Sequence, residues 1–253
     1  MDKINQNSEL TNSNCQYELR WRLFYHRRWY YLRYLHLRDA FELIKDDVTS
    51  VLSVGCGSGY AESLLAIEFP HITFIVTDFR ENYRVAEGFT RKFNLQNINF
   101  ELYNVLEPFR RRCDLVMSIE VLEHIYDYRL AAANMRAASN KYVFCLVPFG
   151  DKEINENEAE RSRVWKEHEH YCVGFDQETL EALFPNPVKT KGVYWAKYGQ
   201  PFYHKQEKMT NDEAVSQMET LAKEAECDLL IDRVPVKYPE ALGIWTLAKV
   251  NVI

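Results

Sequence analysis

"VLSVGCGSGYAE", residues 51–62, decides how this chain is read. A short apolar strand pattern runs into glycines at 55, 57 and 59, and a helical pattern opens at once. A strand that passes through a glycine turn into a helix brings bare backbone and free N–H groups up to a ligand. Gly55 and Gly57 let the chain turn tightly against that ligand, and Gly59 lets the helix start close to the strand. A turn chosen only for packing is the plain alternative. Against it stands Asp78, which ends the next strand in "FIVTD". A carboxylate there can accept two hydrogen bonds from a ribose diol. Phe79 can cover an adenine face, and Asn104, ending the third strand, can serve the adenine edge. The dinucleotide fingerprint would need glycine where this chain has Tyr60.

Outward from this turn, strands and helices alternate. The pattern predicts strands over 51–55, 72–78, 98–104, 113–119 and 141–148, with helices over 60–69, 81–93 and 128–139 between them. Alternation at this spacing implies right-handed crossovers and a parallel sheet. The strands are nearly continuous apolar runs, as expected when both sheet faces are covered. Beyond Gly150 a charged loop, "DKEINENEAERSRVWKEHEHY", precedes a helix over 176–184, a strand over 188–196, a helix over 211–226 and a last strand over 243–250. Before the core, residues 17–44 read as one helix. The division is a loose tail (1–16), a helical lid (17–46), a cofactor-binding core (47–150) and a substrate-side segment (151–253), all in one domain.

Composition narrows the function classes. The 253 residues carry a formal net charge of −6, so nucleic-acid binding would need a local basic patch. No apolar run reaches membrane-spanning length, and the polar opening "MDKINQNSELTNSNCQ" lacks a signal-peptide core. Cytoplasm is the expected compartment. The 6 cysteines show no CxxC spacing and read as reduced thiols.

Several stretches taken together resemble class I S-adenosylmethionine-dependent methyltransferases of the type 11/12 group, related to the quinone-biosynthesis methyltransferases. "VLSVGCGSG" resembles that family's first motif and "FIVTD" its second. "YNVLEPFRRRCDLVMSIEVLEHI" resembles the stretch through strand four into the "LEH" turn, and "KEHEHYCVGFDQETLEALF" the segment after strand five. The resemblance implies a Rossmann-like sheet of seven strands, mostly parallel with an antiparallel last strand, and helices on both faces. It implies S-adenosyl-L-methionine as cofactor, held by Ser53, Gly55, Cys56, Gly57, Gly59, Asp78, Phe79, Asn104, Val105, Ile119 and Glu120. Two positions depart from the family. Ser53 stands where an acid usually helps hold the methionine end, and Asn104 replaces the adenine-side acid. The cofactor's amino group then needs another partner, such as the backbone carbonyls of Gly55 or Ile119.

The reaction this implies is methyl transfer to an oxygen or nitrogen of a small molecule, for which a base helps. The candidates are His124, just past strand four, and His168 and His170, in the loop after strand five. Each has a plainer reading: His124 as a packing residue of its turn, the other two as solvated loop side chains. HxH on an extended chain, with Glu167 or Glu169, is a thin metal motif lacking further ligands, and no metal is expected. In the N-terminal helix, Tyr17, Trp21, Tyr25 and Arg28 are placed against the substrate; Arg20 or Arg28 could bind a carboxylate or phosphate. Plain packing of this helix, with arginine stems along apolar surface, is the alternative. The late helix could meet a second copy in a homodimer. Two other functions stay open: a cofactor-binding or partner subunit without catalysis, and an RNA or protein methyltransferase. The acidic remainder of the chain argues against a polynucleotide substrate.

Overall fold

The computed structural model describes residues 28–194 and 229–250, together with Leu19. Helix α1 (Arg28–Glu42) leads into strand β1 (Ser50–Val54) and helix α2 (Tyr60–Glu68). Strand β2 (Thr73–Asp78), a 3-10 turn (Glu81–Tyr83), helix α3 (Arg84–Lys92) and strand β3 (Ile98–Leu102) complete the first half. Strand β4 (Cys113–Ile119) runs through a 3-10 turn (Leu122–His124) into helix α4 (Tyr128–Ala138) and strand β5 (Ser139–Pro148). Helices α5 (Lys152–Glu156), α6 (Glu158–His168) and α7 (Gln177–Leu183) precede strands β6 (Pro187–Val193) and β7 (Gly243–Lys249). The predicted helix over 211–226 and the last two residues of the predicted strand over 188–196 lie outside the described residues.

All seven strands form one sheet in the order β3-β2-β1-β4-β5-β7-β6. The first five pair in parallel, while β7 runs antiparallel to both β5 and β6. The order reverses at β1 and β4, so their carboxyl ends open the crevice where α/β sheets take ligands. Strand alternation divides the core. Val51, Phe74, Val76, Leu115, Met117, Phe144 and Trp245 face α1 and α2. Leu52, Val54, Ile75, Val116, Val143 and Cys145 face α4 and α7.

The described part of the N-terminal helix is packed into the first of these layers. Tyr31, Leu32, Tyr34, Leu35, Leu37 and Phe41 are buried, while Tyr30 is exposed, so most of the described apolar surface of this helix is covered. Trp245 Nε1 donates to His36 Nδ1 at 3.1 Å in the interior, tying α1 to the last strand. Burial holds His36 neutral, its pKa lowered to about 3.

The segment predicted as a charged loop, 151–171, is largely helical. Asp151 caps α5 by accepting from Ile154 N, and Asn157 caps α6 by accepting from Ala159 N and Glu160 N. Arg163 pairs with Glu160 and Glu167 one turn away on either side, at 2.9 and 2.7 Å. Only Val164 of α6 is buried, which is why no apolar period announced the helix. Asx caps and charge spacing carried the signal instead.

Candidate functional site

The glycine turn is laced to the end of β2. Cys56 N donates to Thr77 O, Gly57 N to Asp78 Oδ2 and Arg80 N to Asp78 Oδ1, each at 2.9 Å. Gly55, Gly57 and Gly59 all hold positive φ, which side chains resist. Their surroundings differ. A Cβ on Gly55 would come within 2.5 Å of Val121 Cγ2, and one on Gly59 within 2.9 Å of Phe100 Cε1. One on Gly57 would meet nothing within 4 Å. Protein atoms therefore dictate the outer two glycines, and the middle one faces open space beside the Asp78 carboxylate.

Asp78 is buried, yet each of its oxygens accepts a single backbone N–H, leaving a lone pair on each for a diol. Phe79, directly after it, is 66 % exposed, with the Arg80 guanidinium 4.7 Å from its ring centroid. Val105 is buried. β3 ends at Leu102, so Asn104 sits in the following loop rather than at the strand end, its Oδ1 accepting from Leu106 N at 3.1 Å. These residues fit an adenosyl group: a diol acceptor, an exposed ring for the base, and a turn with room at Gly57.

Ser53 has a partner that no sequence pattern flagged. Its Oγ donates to Glu62 Oε1 at 2.7 Å, with both residues buried. Burial raises the Glu62 pKa to about 7, and the nearby Asp78 carboxylate adds to the rise. Glu62 lies in the first turn of α2, so the acid missing from β1 is supplied beside that position by the following helix. Its placement at i+9 from Ser53, across the turn, could have been read only by asking which acid α2 points back at β1.

The other half of the crevice rises from the end of β4. Ile119 closes the strand, and Glu120 adopts φ 54°, a conformation costly for a side chain and typical of functional turns. Arg33 of α1 donates to Glu120 Oε2 at 2.6 Å, and each side chain is 12 % exposed. Burial and the neighbouring Glu120 carboxylate push the Glu123 carboxyl well above the usual range. The loop after α6 is pinned onto this turn, where Tyr171 N donates to Glu123 O at 2.7 Å. It carries His170 edge-on to His124, ring centroids 4.5 Å apart, with His168 5.3 Å from His170. Burial lowers the His124 pKa and takes that of His170 down to about 3.

All three predicted histidines thus meet at one end of the sheet. The extended HxH geometry expected for His168 and His170 is not what forms: His168 is the last residue of α6, and Glu169 caps the helix at φ 59°. Arg33, which the sequence reading did not single out, is an arginine of α1 that reaches this turn. Arg28 opens α1, while its side chain and the whole of Tyr17, Trp21 and Tyr25 lie outside the described residues. A separate cavity between Arg112, Arg136, Asn186 and Lys249 lies at the other end of the strands, where β4 and β6 begin.

A sheet that reverses at β1 and β4, with an acid at the tip of β2 and a glycine turn beside it, defines a nucleoside-binding α/β enzyme. The profile of the methyltransferase domain family matches residues 25–186, and the chain belongs to that family, an S-adenosylmethionine-dependent methyltransferase. Among solved structures, the chain is similar to a Galdieria sulphuraria protein assigned as a sarcosine dimethylglycine methyltransferase. The TM-score is 0.61 at 12 % identity, over 87 % of this chain and 85 % of that one. It is also similar to coclaurine N-methyltransferase bound to N-methylheliamine and SAH (TM-score 0.57, 13 % identity, 86 % and 70 % covered). A third is the YcgJ protein of Bacillus subtilis (TM-score 0.55, 11 % identity, 85 % and 99 % covered). No curated protein matches the chain in sequence. Among the described residues, no helix is long and apolar enough to cross a membrane.

Proposed function

We propose that this enzyme methylates an oxygen or nitrogen of a small molecule. The observation that carries the reading is the polar cluster of Glu120, Glu123, His124, His168 and His170 beside the glycine turn. Val121, in the same turn, packs directly behind Gly55, so the cluster adjoins the cofactor cradle. This wall offers a heteroatom hydrogen-bond partners and a proton acceptor. When bound, S-adenosylmethionine supplies an electrophilic methyl group on sulfur, which leaves as the neutral thioether.

The chain's own residues do the rest. Asp78 takes the ribose hydroxyls, Phe79 covers the adenine, and the backbone at Gly57 gives the room. Val105, Ile119 and Glu120 border the same crevice. His124 and His170 are neutral at physiological pH and hold the acceptor's heteroatom. His168, beside His170, takes its proton, for which an imidazole is suited. Support for a small-molecule acceptor also comes from coclaurine N-methyltransferase, a neighbour whose structure holds N-methylheliamine. Labelled-methyl transfer across a panel of hydroxyl, amine and carboxylate compounds tests this. His168→Ala should slow turnover roughly 10²-fold or more on any acceptor that must lose a proton. Its affinity for S-adenosylhomocysteine should not change. Full activity in that variant removes the base assignment, and methylation found only on carbon or on polynucleotides removes the acceptor class.

A further inference from the structure

We infer that Glu123, His124 and His170 form a site for a divalent first-row transition-metal cation on the acceptor side of the crevice. Each offers one ligand atom, and the three atoms lie within 4.8 Å of one another. The sequence places them far apart, Glu123 and His124 on the turn after β4 and His170 past α6. Tyr171 N bonding to Glu123 O is what locks the two segments together.

The independent observation is the state of Glu123. It is 0 % exposed, its two oxygens accept from no N–H or O–H among the described residues, and the polar group facing it is the Glu120 carboxyl, a second acid that repels it. His170 Nδ1 is likewise buried without a partner. Sealing a carboxylate from water with no donor costs several kcal/mol, a cost met in proteins by pairing or by a metal. Arg33 attracts Glu123 through its charge but gives its hydrogen bond to Glu120 Oε2, which leaves the Glu123 oxygens without a donor from it. Two imidazoles and one carboxylate make a donor set that zinc, cobalt, manganese or iron accepts and that magnesium, which prefers oxygen, does not. Bonds of about 2.1 Å would hold such ligand atoms roughly 3–4 Å apart, a contraction within reach of small ring rotations.

The geometry also leaves the cation open on one side. His124 is exposed while Glu123 is buried beneath it, so three protein ligands would cover the inner face. The outer face is free for an acceptor heteroatom, in the manner of sites that keep a position for substrate. This rests on the reading of His124 and His170 as acceptor-side residues, and it gives them a means of holding the heteroatom. It leaves His168, outside the cluster, as the proton acceptor.

The test needs neither cofactor nor turnover. Chelator-treated full-length protein is titrated with Co²⁺ while its visible absorption bands are followed, then challenged with Zn²⁺ and, separately, Mg²⁺. One saturable equivalent of Co²⁺, displaced by Zn²⁺ and indifferent to Mg²⁺, is expected. Glu123→Gln and His170→Ala should each weaken binding at least tenfold, and His71→Ala, at an exposed histidine outside the cluster, should leave it unchanged. Absence of saturable binding up to roughly 1 mM Co²⁺ overturns the site, as does binding untouched by both variants. Should the variants fail to fold, diethyl pyrocarbonate labelling of the natural chain decides. Zn²⁺ must slow modification of His124 and His170 but not of His71, and equal labelling overturns the site. His168→Ala separates the two readings: a variant that binds Co²⁺ yet turns over normally removes the base and leaves the cation site standing.

Discussion

Replacing Gly57 by alanine should separate cofactor binding from folding, because the three glycines of the turn answer to different neighbours. A side chain in the left-handed region costs about 1–2 kcal/mol. At Gly57, φ is 55° and an added Cβ meets nothing within 4 Å, so that strain is the whole folding penalty. For a protein of this size the melting temperature should fall by roughly 2–8 °C. The new methyl group would stand in the space beside Asp78 that the adenosyl group needs. Affinity for S-adenosylhomocysteine should drop at least tenfold, about 1.4 kcal/mol. Gly55→Ala reverses the balance. Its Cβ would press to 2.5 Å from Val121 Cγ2, adding about 1–3 kcal/mol of overpacking to the same strain. That variant should melt well below Gly57→Ala, and trimming Val121 to alanine beside it should restore part of the loss. Calorimetric titration with S-adenosylhomocysteine and a thermal melt on each variant give both numbers. If Gly57→Ala binds the nucleoside like the parent protein, the middle glycine does not face the cofactor and the cradle has been drawn on the wrong side of the turn.

Two further outcomes follow from buried acids. Glu62 has its folded-state pKa raised to about 7 against 4.5 in the open chain, so the native state holds a proton that the unfolded state gives up. Stability is therefore fully present below pH 4.5 and is lost as pH rises through 7, by about 3 kcal/mol in all. Glu62→Gln should flatten that slope in melts run from pH 5 to 8, and an unchanged slope would clear Glu62 of the role. Arg33→Leu should cost about 3–5 kcal/mol, since it leaves Glu120 buried without its guanidinium. The double variant with Glu120→Leu should recover most of the loss. A single variant melting within about 2 °C of the parent would show that the pair contributes nothing to the fold.

By itself, the sequence determined the class of fold, the family and its cofactor, and it marked the residues proposed to hold that cofactor. Apolar runs at strand spacing, helices between them, and glycines 55, 57 and 59 followed by Asp78 are local signals. Each is written within one strand–turn–helix unit, where backbone conformation depends on near neighbours. What tertiary structure decided is everything that depends on segments distant in the chain. Helix α6 carries no apolar period in the sequence because its stability comes from caps and charge pairs rather than a buried stripe. Glu62 answers for Ser53 only once α2 folds back along β1. Arg33 reaches Glu120, 87 residues away, only because α1 lies in the core beside the sheet. His170 joins Glu123 and His124 only because the loop after α6 is bonded to the turn after β4. Periodicity records which face of an element is buried, but not which other element will cover it, and the cluster proposed for the acceptor side closes only when such segments meet.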